Sequence, residues 1–225
     1  MDVPVRLMTG NLLNGRADAG HLAEILDRCQ PHIIASQELG PDAAEVIAAR
    51  YHHHDLNPSL DHRGMGFATR FESEFGELSM PWRSGRWARV EIGSRGLLLA
   101  TVHLINAIDF PWWVSVRRRT DQMDALTSWV DDTVGEDSLV VAGDLNASPS
   151  WPAYRRLAER WEDLALQAAE ISGARPAPTW GWRPGWPRLL RIDHVLGMGI
   201  RGVAAWVEPV RGSDHAAVVV DLELT

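Results

Sequence analysis

The chain has 225 residues, 45% hydrophobic and 23% charged, which suits one full-sized folded domain spanning residues 1–225. Its net charge of −8 excludes a global basic field that would hold nucleic acid nonspecifically. A lone cysteine, Cys29, excludes an internal disulfide and fits a reducing, cytoplasmic location; neither a leader nor an apolar run of about 18 residues is apparent.

Residues 3–9 form a short strand ending at Gly10-Asn11. Residues 17–30 form a helix, with Leu22, Ile25, Leu26 and Cys29 on one stripe, Asp18 as N-cap and Pro31 as stop. Residues 32–36 are a buried strand with Gln37-Glu38 at its end, and residues 41–50 form a second helix. The polar stretch 51–66 holds His52, His53, His54 and His62. Such a cluster can bind transition metals, but no Cys or carboxylate spacing completes a zinc pattern, and the stretch is read as a solvated loop. Residues 66–69 and 88–92 are weaker strands. Residues 97–104 are a strong one carrying Thr101 and His103. A loop, 105–113, holds Asn106, Phe110, Trp112 and Trp113. The longest helix follows at 115–134, with Val116, Met123, Leu126 and Val130 inward.

The stretch 139–149, LVVAGDLNASP, is the most informative. Its apolar run is that of a strand buried on both faces. Asp144 and Asn146, two apart, point to the same side of an extended chain. A carboxylate and a carboxamide so placed suit a hard metal ion and a phosphate, although an Asx-rich turn after a strand is a common alternative. Ser150 caps a helix over 151–161, residues 172–187 are an ordered loop rich in Gly, Pro and Trp, and strands are expected at 189–196, 202–207 and 216–224. Many short strands with interspersed helices argue for mixed sheets. Asn11, Glu38, His103, Asp144, Asn146, Asp193, Asp214 and His215 all fall at strand ends, so aligned sheets would bring them to one rim.

The segments Thr9-Gly10-Asn11, Ser36-Gln37-Glu38, Val102-His103-Leu104 with Asn106, Gly143-Asp144-Leu145-Asn146, Arg191-Ile192-Asp193-His194-Val195 and Gly212-Ser213-Asp214-His215 occur in an order that resembles the endonuclease/exonuclease/phosphatase superfamily. That group includes pancreatic-type deoxyribonucleases, apurinic endonucleases, neutral sphingomyelinases and inositol polyphosphate 5-phosphatases. The resemblance implies a four-layer α/β/β/α sandwich of two mixed sheets. It implies a Mg²⁺-dependent phosphoesterase, with Mn²⁺ able to substitute, in which water attacks phosphorus in line. Glu38 would be the main metal ligand, with Asn11 and Asp214 in or beside the metal shell. Asp144 would orient or deprotonate the water, with His215 the rival base. Asn146 would hold a phosphate oxygen and position the water. His215, fixed by Asp193, would bind phosphate, and His103 and Asn106 would contact phosphoryl oxygens. Oxygen ligands with one or two carboxylates independently suit Mg²⁺.

Substrate is set by loops. Trp112, Trp113, Trp180, Trp182 and Trp186 lie near Arg117, Arg118, Arg119, Arg183, Arg188 and Arg191. Such pairs can stack bases while holding phosphates, which favours DNA or RNA and makes Trp180 and Arg191 candidate substrate contacts. They could equally seat a lipid phosphodiester, or simply pack the loops. Phosphomonoester hydrolysis is the other enzymatic alternative, and an inactive binding module with the same fold is the non-enzymatic one. A serine hydrolase is disfavoured: no G-x-S-x-G elbow is present, and Ser213, Asp214 and His215 are contiguous.

Overall fold

The computed structural model describes residues 4–106 and 111–225, so Val3 and Phe110 lie outside the described residues. Within it, the run Leu97-Leu98-Leu99-Ala100 shows why this sequence makes layers. Leu97 and Leu99 pack inward between two sheets, while Leu98 and Ala100 pack outward beneath helices. A strand buried on both faces has no polar side, which is why its sequence is a continuous apolar run.

The first sheet holds β1 (Val5–Asn11), β2 (Ile33–Gln37), β3 (His53–Asn57), β4 (Met65–Thr69), β11 (Ile200–Pro209) and β12 (Ala216–Leu224), in the order β11-β12-β1-β2-β4-β3. The second holds β5 (Ser73–Leu78), β6 (Gly85–Ile92), β7 (Arg95–His103), β8 (Ser138–Asp144), β9 (Glu162–Asp163) and β10 (Asp193–Met198), in the order β5-β6-β7-β8-β10-β9. Both sheets are mixed: β1 runs parallel to β2 and β7 parallel to β8, and the other pairs are antiparallel.

Helices α1 (Ala19–Cys29) and α2 (Pro41–Ala48) cover the outer face of the first sheet, where Leu22, Ile25 and Ile47 meet Met8, Ile34 and Val219. Helices α3 (Trp112–Thr133) and α4 (Pro152–Ala158) cover the second, where Met123, Leu126 and Leu157 meet Leu98, Val102 and Val141. The result is an α/β/β/α sandwich. Each fully buried Leu or Ile in these layers contributes about 1.5–3 kcal/mol. Helix α5 (Leu164–Ser172) adds Leu164 and Ala165 to the layer between the sheets.

Besides the two-residue β9, three elements depart from the sequence expectation. Strands β3 and β5 run through polar stretches without alternation. Each is an edge strand held on one side by a backbone ladder, so its side chains carry little pattern. Helix α5 carries little sequence signal because its buried face is largely alanine. Among smaller corrections, Asp18 does cap α1, accepting from His21 N, but Ser150 does not cap α4, whose N-cap is Trp151 without a side-chain bond. Val116 is exposed. The inward positions at that end of α3 are Ser115, Arg119 and Gln122, whose side chains bond the backbone of Asn106, Leu145 and Ile105.

Candidate active site

The two parallel pairs end at the same rim. Asn11 is in register with Gln37, and His103 with Asp144, while Asp193 opposes Asp144 from the antiparallel neighbour. Gln37 ties the sheets together at this point, its amide nitrogen donating to Thr9 Oγ1 at 3.1 Å and to Thr101 Oγ1 on the other sheet at 2.7 Å. Glu38, one residue beyond β2, has φ of 51°, and Asn146, two beyond β8, has φ of 47°. Left-handed backbone at a non-glycine residue costs energy and is held in place by its surroundings.

These turns set up one cleft of about 390 Å³, lined among others by Asn14, Glu38, Arg83, His103, Asn106, Asp144, Asn146, Trp180, Trp182, Asp214 and His215. At its floor the Asn11 amide nitrogen donates to Glu38 Oε1 and to Asp144 Oδ2, each at 3.1 Å. Glu38 Oε2 also accepts from Asn14 N at 2.7 Å. Asp144 Oδ1 accepts from Asn146 N at 2.8 Å, and the Asn146 side-chain nitrogen donates to Leu104 O and Asp144 Oδ2. His215 Nδ1 is 2.8 Å from Asp193 Oδ2, and its Nε2 is 3.8 Å from Asp144 Oδ2.

The electrostatics follow from burial and from these contacts. Burial, helped by the Asp193 carboxylate, pushes Asp144 up to about 7. Burial opposes a charge on His215, but Asp193 and then Asp144 overcome it and raise the imidazole to about 10. Burial, with Arg83 and His215 alongside, holds His103 well below its usual range. A neutral His103 agrees with Arg83 donating to its Nε2 at 2.7 Å. Its approaches to Glu38 and Asp144, at 3.6 and 3.5 Å, are therefore not ion pairs.

The structure thus gathers Asn11, Glu38, His103, Asn106, Asp144, Asn146, Trp180, Asp214 and His215 around one cleft, with Asp193 directly behind His215. Arg191 is a correction. Its guanidinium donates to Asp163 Oδ2 at 2.7 Å and lies over the Tyr154 ring, so a buried acid holds it out of the cleft. Asn11 also differs from expectation: its oxygen accepts from Leu13 N, so it presents its nitrogen to the carboxylates and orients them. Asn14, Trp151 and, with the most consequence, Arg83 line the cleft although the sequence did not reveal them. Arg83 lies in the β5–β6 connection, 20 residues from His103, and nothing in its local sequence marks it. The histidine stretch does not converge on itself: His54 Nδ1 faces Tyr51 O, His52 and His53 line a separate hollow, and His62 instead lies against His103.

A divalent cation fits this donor set. Glu38, Asp144 and Asp214 all face the cleft, and Asp214 Oδ1 is buried without a hydrogen-bond partner while Oδ2 accepts from Trp180 Nε1. Glu38 and Asp144, bridged by the one Asn11 nitrogen, are buried carboxylates close enough to need a counter-charge, and oxygen donors suit a hard ion. Among the described residues Asp144, Asp193 and His215 form an acid–imidazole cluster, with ligand atoms within 4.8 Å of one another. The short Asp193–His215 bond makes it a hydrogen-bonded relay rather than a chelate.

Residues 8–215 match the profile of the Endonuclease/Exonuclease/phosphatase family. The chain belongs to this family. Its fold is similar to that of humanized D. rerio TDP2 (16% identity, TM-score 0.77, covering 97% of this chain and 98% of that one). It is also similar to the human Nocturnin catalytic domain with bound sulfate anion (18%, 0.75, 100% and 96%). A third likeness is to a functionally unknown conserved protein from Enterococcus faecalis V583 (14%, 0.76, 98% and 100%). No curated protein matches the sequence. Family membership makes the chain a metal-dependent phosphoester hydrolase of the nuclease and phosphatase class. Among the described residues no helix is long and apolar enough to cross a membrane.

Proposed function

We propose that this family member is a Mg²⁺-dependent phosphodiesterase, with Mn²⁺ as a substitute, acting on nucleic acid. The observation that carries the reading is the placement of Asp144: one carboxylate oxygen lies within reach of Asn11, Asn146 and the His215–Asp193 pair, beside Glu38. Glu38, with Asp214, would hold the ion, and Asn11 would keep the carboxylates in position. The ion, when bound, supplies Lewis-acid polarisation of the phosphoryl oxygens.

The rest is done by the chain. Asp144, raised toward neutral, takes a proton from the attacking water as its oxygen forms the bond to phosphorus. His215, charged at neutral pH, neutralises the equatorial oxygens and hands a proton to the departing ester oxygen as that P–O bond breaks. Both nitrogen protons of the Asn146 amide are engaged, so Asn146 serves by orienting Asp144. Arg83 supplies the phosphate cation that Arg191 cannot, with His103 as its neutral support.

Aromatic walls from Trp151, Trp180 and Trp182 beside Arg83 favour a nucleotide phosphodiester over a bare monoester. The structural likeness to D. rerio TDP2 complexed with single strand DNA product, at 16% identity, points the same way. The site draws on residues from Asn11 to His215 and on both sheets, which supports reading residues 1–225 as one domain. The free, buried Cys29 supports a reducing, cytoplasmic setting.

The deciding experiment is a panel with Mg²⁺ and Mn²⁺: bis(p-nitrophenyl) phosphate, single- and double-stranded DNA, RNA, sphingomyelin, inositol phosphates and p-nitrophenyl phosphate. Metal-dependent cleavage of diesters, nucleic acid foremost, is expected. Hydrolysis of monoesters alone, or turnover that survives excess EDTA, would reject the proposal.

A further inference from the structure

Trp82, Trp112, Trp113, Trp182 and Trp186 stand 55–62% exposed. Rings this large are usually covered. All five lie on three segments that lead out of the cleft. Segment 80–85 brings Arg83 to His103. Segment 111–119 follows Asn106, whose carbonyl accepts from Ser115 Oγ. Segment 179–191 brings in Trp180. Together they carry six of the 11 tryptophans, seven arginines and no Asp or Glu, in a chain of net charge −8.

The rings form two groups. In one, the Arg118 guanidinium lies 4.5 Å over Trp82, and Trp112 meets Trp113 edge-on at 5.8 Å. Trp82 has φ of 72°, a left-handed conformation that bulky residues rarely adopt, so its placement is maintained against strain. In the other, Trp180 and Trp182 are 5.2 Å apart, and Arg183 lies 5.8 Å from Trp186. The strand order β6-β7-β8-β10 sets the first group beside β6 and β7, the second beside β10, and Asp144 between them at the end of β8.

We propose that the two groups are stacking platforms that grip unpaired bases on either side of the scissile phosphate, making the substrate a single strand. This rests on the nucleic-acid reading above. A duplex keeps its base faces stacked and needs many phosphate contacts. Here three of the seven arginines are committed inward, Arg119 to Leu145 O, Arg188 to His215 O and Arg191 to Asp163. A ring covered by a guanidinium on one face offers the other to a base. The same arrangement disfavours a bilayer, since inserting Trp82 or Trp186 would carry the paired cation into hydrocarbon.

The test uses the full-length Asp144→Asn protein with Mg²⁺ and a fluorescein-labelled oligothymidylate, read by anisotropy. Comparison ligands are its duplex with oligoadenylate and phosphatidylcholine/phosphatidylserine vesicles. The single strand should bind at least about tenfold tighter than the duplex. Trp82→Ala and Trp186→Ala should each weaken it by about 5- to 150-fold, with Phe at either position restoring most of the loss. Equal or tighter duplex binding, unchanged affinity in the Ala variants, binding to vesicles alone, or no binding at all would overturn the proposal. Turnover of bis(p-nitrophenyl) phosphate by the wild-type chain is measured in parallel. Turnover without strand binding sinks the platforms and leaves the diesterase chemistry standing; binding without turnover does the reverse.

Discussion

Asp193 Oδ2 and His215 Nδ1 lie 2.8 Å apart, in a pair whose members are 1% and 5% exposed. The carboxylate fixes which ring nitrogen carries the proton toward it and leaves Nε2 facing Asp144. Asp193→Asn removes the charge that keeps His215 protonated and can reverse the tautomer. We predict a fall in kcat of about 100-fold or more with a much smaller change in KM. Steady-state kinetics on a chromogenic diester check it; an unchanged kcat would remove Asp193 from the mechanism.

Asn11 holds two carboxylates with one amide nitrogen. Asn11→Ala leaves Glu38 and Asp144 in place but no longer aligned. Mg²⁺ affinity, measured by calorimetry, should drop by about 10- to 100-fold, as when other groups that orient metal ligands are lost. Glu38→Gln should weaken it further. EDTA should abolish turnover, and Mg²⁺ or Mn²⁺ should restore it. If Mg²⁺ binds both variants as it binds wild type, the ion sits elsewhere.

Gly143 has φ of 137°, and a Cβ there would meet Val102 O at 2.2 Å. The clash is with backbone, so no side-chain rotation relieves it. Gly143→Ala should cost about 2 kcal/mol or more in urea unfolding and disturb the strand end that presents Asp144. Wild-type stability in this variant would show that the rim is more yielding than its packing implies.

Asp163 couples stability to acid. Burial pushes its carboxyl up, but His194, Arg191 and Tyr154 outweigh this and hold it well below the ordinary 3.8. A pKa lowered by folding gives a contribution fully present above the unfolded value. It is lost as pH falls from there through the folded one. The wild-type chain should therefore lose stability steadily below about pH 4. Asp163→Asn should cost about 3 kcal/mol at neutral pH, because the largely covered Arg191 loses its carboxylate partner, and its acid limb should be flatter. Parallel acid limbs for the two proteins would contradict the linkage.

Much of the layering was legible in residues 97–104 and 139–144. A strand covered on both faces must be apolar throughout, and the ends of such strands are where polar groups can survive. That argument found Asn11, Glu38, His103, Asp144 and Asp193 without coordinates. It did not find Arg83, whose partner His103 is 20 residues away and on the neighbouring strand. It misplaced Arg191 because the buried acid that claims it, Asp163, sits on a two-residue strand with no sequence signal.

The sequence by itself determined the chemistry available at the rim, because side-chain type and strand-end position are local properties. The tertiary structure decided which atom faces which. Asn11 offers nitrogen rather than oxygen, His103 is neutral while His215 is charged, and Arg83 rather than Arg191 enters the cleft. Those choices depend on burial and on partners as far as 202 residues away along the chain, such as Ser213 donating to Asn11 O. Electrostatic energies in a low-dielectric interior are set by such distances in space, which spacing along the chain does not encode.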